Sequence, residues 1–92
     1  MHVVVQHRVL DPEALAAANP QEINDSGPPG VQGLQTLVTA DGSMVFCVWE
    51  TGSIEALRDY LDPATAGVVE NSYFEIDSAQ SLGLPASAAA GA

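Results

Sequence analysis

The chain has 92 residues, enough for one domain with a core. Hydrophobic residues make up 47% of it, which excludes disorder for the chain as a whole. Twelve acidic residues against two basic ones give a formal net charge of −10, which repels phosphate backbones and anionic membranes and so argues against nucleic acid and lipid headgroups as partners. Cys47 is the only cysteine, so an intrachain disulfide is impossible and a reducing compartment is permitted. No apolar run approaches the ~20 residues that span a bilayer. The first residues do not read as a signal peptide, and the expected location is the cytoplasm.

The opening "MHVVVQHRVL" is rich in β-branched residues and reads as a first strand bounded by Asp11-Pro12. Asp11 suits a helix N-cap, with Pro12 at the first helical position and Glu13 favourably placed in the first turn. The helix "PEALAAAN" is expected to stop at Pro20, and residues 19–30 read as an irregular loop leaving through Gly-Pro-Pro-Gly. The second and third strands are "VQGLQTLVT" and "SMVFCVWE". Asp41-Gly42 between them predicts a two-residue type I′ turn. Ser53 caps a second helix, "IEALRDYL", whose Ile54, Leu57 and Leu61 form one stripe and which Asp62-Pro63 is expected to interrupt. Its Arg58 is spaced to pair with Glu55 and Asp62 on the surface. "SYFEID" is the fourth strand. A small-residue tail over 79–92 follows the 1–78 domain and has little in its composition to hold it down.

The order β-α-β-β-α-β defines a ferredoxin-like split βαβ domain with strand order 4-1-3-2 and both helices on one face of an antiparallel sheet. A two-residue turn pairs Val38 with Val45, Thr36 with Cys47 and Leu34 with Trp49 on one face. It pairs Leu37 with Phe46, Gln35 with Val48 and Gly33 with Glu50 on the other. The first set is compact and belongs under the helices, making Cys47 a core thiol. The second set is too apolar for water, so another copy is expected to cover it, giving a homodimeric α+β barrel. Parity places Gln6 and Arg8 with the open set. On the last strand Phe74 and Ile76 suit the helix side, which leaves Tyr73 and Glu75 on the open face.

"GSMVFCVWETGSIEALRDYL" followed by "SYFEID", with a looser "VVQHRV" in the first strand, resembles a family of small bacterial ferredoxin-like domains of mostly unknown function. The resemblance rests on Cys47, Glu50, Ser53, Glu75 and Ile76. The family includes a nickel-binding dimer that uses histidines, so the resemblance implies a divalent metal as one option; the second helix here carries Tyr60 and no histidine. Nothing in the sequence itself requires a cofactor. His7 is the candidate metal ligand, set against a hydrogen-bonded structural histidine.

Two functions follow from these residues. The first is a small acidic dimeric binding domain that holds a small molecule or metal ion in a cavity on the sheet face, lined by Gln6, Gln35, Phe46, Val48, Tyr73 and Glu75. The second is a cofactor-independent enzyme of monooxygenase, isomerase or cyclase type acting on an apolar ring. There Glu50 would serve as base and Arg8 as polarising group, with an Arg8–Glu75 ion pair as the structural alternative.

Overall fold

Alternation along the first strand fixes the two faces of the sheet, and the rest of the chain is arranged around that choice. In the computed structural model, which describes residues 1–85, β1 (His2–Val9) buries Val3, Val5 and His7 on one side and turns Val4, Gln6 and Arg8 to the other. The elements that follow are α1 (Pro12–Ala17), α2 (Pro20–Asp25), β2 (Gln32–Val38), β3 (Met44–Glu50), α3 (Ile54–Thr65) and β4 (Val69–Ile76). The four strands form one antiparallel sheet in the order β2-β3-β1-β4, the expected ferredoxin-like arrangement.

Pro20 does more than end a helix. Asn19 adopts a left-handed conformation with φ 54, and its side chain accepts a hydrogen bond from the Glu22 amide at 3.3 Å. With Pro20 at the first helical position this starts α2, so part of the stretch read as irregular loop is a helix. The α2 helix reaches the sheet because Gly33 lacks a side chain: a Cβ there would fall 2.1 Å from Asn24 Oδ1. The helix α3 also runs further than expected, through Pro63 to Thr65, with Leu57, Leu61 and Thr65 buried at four-residue spacing. One missing N–H near the end of a packed helix does not stop it. Tyr60 donates to the Ile23 carbonyl at 2.7 Å and ties α3 to α2.

The β2–β3 register is as expected from Val38↔Val45 down to Gln35↔Val48, and the turn that sets it is not. Thr39 and Met44 close a four-residue loop in which Gly42, at φ 74, is the only residue with positive φ, so a type I′ turn is excluded. Beyond Gln35 a bulge at Leu34 shifts the pairing, putting Gly33 opposite Trp49 and Gln32 opposite Glu50. The expected gap beside Glu50 is therefore not made by Gly33. On β4, Tyr73 and Asn71 share the helix face with Val5 and His7, while Phe74 and Ile76 lie on the open face. That inverts the expected parity. Most of the tail (residues 86–92) lies outside the described residues. Its start is anchored: Ser78 Oγ lies 3.2 Å from His2 Nδ1 and the Pro85 carbonyl 3.1 Å from His2 Nε2.

Within the hairpin loop the Asp41 carboxylate accepts from the Ser43 amide at 3.0 Å, and from the Ser43 and Thr39 hydroxyls at 2.8 Å each. These bonds lower its pKa from 3.8 to about 2. Because the folded value lies below the unfolded one, the stabilisation is complete above 3.8 and is lost as pH falls through about 2. Asp41→Asn should therefore melt below the wild type at neutral pH, with the gap closing through that acid window. A gap that does not change with pH would show that the ionised carboxylate is not what holds the loop.

Candidate functional site

The open face is built in rows across the sheet. Gln35, Val48, Val4 and Phe74 form one row, and Leu37, Phe46, Gln6 and Ser72 the next. Val48 is buried by its neighbours even in the single chain, whereas Leu37 and Phe74 are 53% and 51% exposed. No described helix covers these rows. At one end lie Gln32, Glu50, His2 and Ile76, and at the other Met44, Arg8 and Glu70.

This geometry separates residues the sequence had grouped. Gln6, Gln35, Phe46 and Val48 are brought together on the open face. Arg8 and Glu50 share that face at opposite ends, with six residues of β1 between their rows, or ~20 Å of strand. Arg8 pairs with Glu70 at 3.0 Å, not with Glu75, because the register sets Glu70 opposite Arg8 and Glu75 opposite Val3. Tyr73 and Glu75 leave the expected set for the helix face.

Glu50 forms part of a cleft of about 350 Å³ with Asp25, Gln32, Val31 and the Gly27–Pro28 backbone. Its Oε2 is buried and has no hydrogen-bond partner. A carboxylate oxygen placed this way, with both arginines engaged elsewhere, is disposed to receive a donor or a positive group.

His7 occupies the helix face, buried, with Nδ1–H donating to Asn71 Oδ1. The Asn71 amide in turn donates to Asp62 at 3.1 Å and Thr65 at 3.0 Å, which identifies its oxygen as the acceptor from His7. Tyr73 donates to the same Asp62 oxygen. Burial first, and then this bond, raise the Tyr73 pKa. Asp62 resists the upward pull of its own desolvation because Tyr73, Asn71 and the Arg58 charge lower it. Arg58 lies 5.0 Å above the Tyr73 ring in place of the expected pairing with Glu55 and Asp62. Among the described residues no group of three or more His, Cys, Asp or Glu side chains converges as a metal site. Asn71 and Asp62 escaped notice in the sequence because neither carries a motif; only the β1–β4 register brings them to His7.

Cys47 is buried under the helices, its thiol 3.7 Å from Thr36 Oγ1, and burial raises its pKa. Beside it, Trp49 is 1% exposed and its Nε1–H makes no hydrogen bond. No protein-family model, curated protein or solved structure matches this chain.

Burial lowers the His7 pKa below its ordinary 6.5, outweighing the bond to Asn71, which raises it. The unfolded chain therefore takes up the proton first as pH falls, so this stabilisation is complete above 6.5 and drains away below it. Wild-type melts should lose stability in the pH unit beneath that value, and His7→Gln should remove the dependence. At neutral pH, Asn71→Ala should cost ~1–3 kcal/mol by orphaning the His7 N–H. An Asn71→Ala protein as stable as the wild type would mean that this network holds nothing together.

Proposed function

We propose that this domain is a homodimeric binding protein whose open sheet faces pack together and hold a small ligand at the Glu50 end. The observation that carries the reading is the apolar open face, where half-exposed Leu37 and Phe74 flank a buried Val48 and Phe46. Exposed apolar surface of this continuity is characteristic of an interaction site. A two-fold copy of the same face is the simplest cover. It would leave Gln6, Gln35 and Ser72 as the polar elements within the interface.

The partnerless Glu50 oxygen gives the ligand its chemistry: a small molecule presenting a hydrogen-bond donor or a positive charge. The catalytic alternative lacks the support of a second residue, since Arg8 lies a strand's length away and is paired with Glu70. A metal role for His7 would require its one bonded nitrogen to be released or a ligand set that the surrounding residues do not supply. The lone buried thiol suits the cytoplasm, and among the described residues no helix is long and apolar enough to cross a membrane.

Light scattering at micromolar concentration should report twice the chain mass, and Phe74→Glu should halve it while preserving the circular dichroism spectrum. A monomeric wild type would contradict the proposal. For Glu50, the ligand role makes a separate demand on the free protein. Glu50→Gln should leave stability unchanged or raise it by up to ~2 kcal/mol, because a charged group held without a partner is a cost carried for binding. A loss above ~1 kcal/mol would show that Glu50 is a structural ion-pair or hydrogen-bonding residue instead.

A further inference from the structure

The strongest unassigned feature lies on the opposite side of the sheet from the dimer face. Between the sheet and the α1–α2 corner is a partly enclosed space of about 130 Å³, walled by Leu15, Ile23, Val45, Cys47, Trp49 and Leu61. Its volume is close to the ~150 Å³ of an apolar cavity known to admit benzene in another protein. The roof over it is thin: α1 and α2 are six residues each and neither contains a buried residue. Such short, half-packed helices open locally at low cost and provide a way in.

The wall is almost wholly apolar, and Trp49 sets it apart from an ordinary packing defect. Among the described residues, the Trp49 Nε1–H is the one buried side-chain donor without a partner. An unpaired N–H in such surroundings forfeits free energy that a ligand acceptor would restore. It lies close enough to the Cys47 sulfur to favour its thiolate, which puts it beside another wall residue, yet forms no hydrogen bond. His7 also lines the space, its Nδ1–H committed to Asn71.

We propose that this cavity binds a small planar apolar molecule, on the scale of one six-membered ring, carrying a single acceptor to which the Trp49 indole N–H donates. Shape and apolar contact supply the affinity, and the indole supplies orientation and selectivity. The inference does not rest on dimerisation, because the cavity faces away from the open sheet.

Benzonitrile and toluene are matched in size and differ in the acceptor. Titrations of each would be followed through the backbone amides of Val45, Cys47 and Leu61. In the wild type both should shift these amides. On Trp49→Phe, the ratio of the toluene Kd to the benzonitrile Kd should fall about fivefold, a comparison that cancels the ligands' different hydration. Val45→Phe, which fills the space, should abolish both titrations, and the monomeric Phe74→Glu variant should retain them. The chain has one tryptophan, so its indole N–H resonance gives a second readout in the unaltered protein: benzonitrile should move it downfield and toluene should not. Absence of binding up to the solubility limit would overturn the proposal. So would a Kd ratio unchanged in Trp49→Phe, or binding that survives Val45→Phe.

Discussion

A four-stranded sheet has two faces, and this chain supplies helices for only one of them. Everything else in the molecule follows from how that shortage is met. On the covered side, α3 packs well through Leu57, Leu61 and Thr65, and it seals the β1 and β4 half of the sheet. The β2 and β3 half receives only α1 and α2, which are too short to bury a residue of their own. A hydrogen bond from Tyr60 and the close approach at Gly33 hold α2 in place. The cavity against Trp49 is what remains where that roof is thinnest. The uncovered side keeps Leu37, Phe46, Val48 and Phe74 in continuous rows.

Polar groups are distributed with the same logic. Under α3 they form a closed chain from His7 through Asn71 to Asp62, Thr65 and Tyr73, and each bond fixes the next. A satisfied network of this kind rigidifies the packed half of the domain. Glu50 and Trp49 are the exceptions, each with a buried polar atom that has no partner. They sit on opposite faces of the sheet, one beside the uncovered rows and the other beneath the thin roof. Both lie where the helical layer is least complete, which is also where a ligand has room.

The architecture was legible in the sequence because alternation and turn signals are local. Strand order, the buried parity of Val3, Val5 and His7, and the Thr36–Cys47 pairing all follow from short-range pattern and hairpin register. The misreadings arose where a single residue altered that pattern. The bulge at Leu34 moved Gly33 away from Glu50, and Asn19 in a left-handed conformation turned a helix stop into a helix start. On β4, Tyr73 and Phe74 are adjacent aromatics, so composition alone does not say which faces inward. Asn71 and Asp62 settle it by bonding His7 and Tyr73, and those contacts span up to 64 positions of sequence. The candidate site was accordingly half legible: the open-face residues of β2 and β3 were, and the contributions of β4 were not.

The claim on which most depends is that a second copy covers the open face, and hydroxyl-radical footprinting of the native protein tests it residue by residue. Phe74 is 51% exposed in the single chain, and Val38, on the helix side of the edge strand, is 64% exposed. At micromolar concentration Phe74 and Leu37 should be protected well below the reactivity their exposure implies, while Val38 reacts freely. Oxidation of Phe74 at the rate expected of a half-exposed phenylalanine, at every concentration tested, would contradict a covered face.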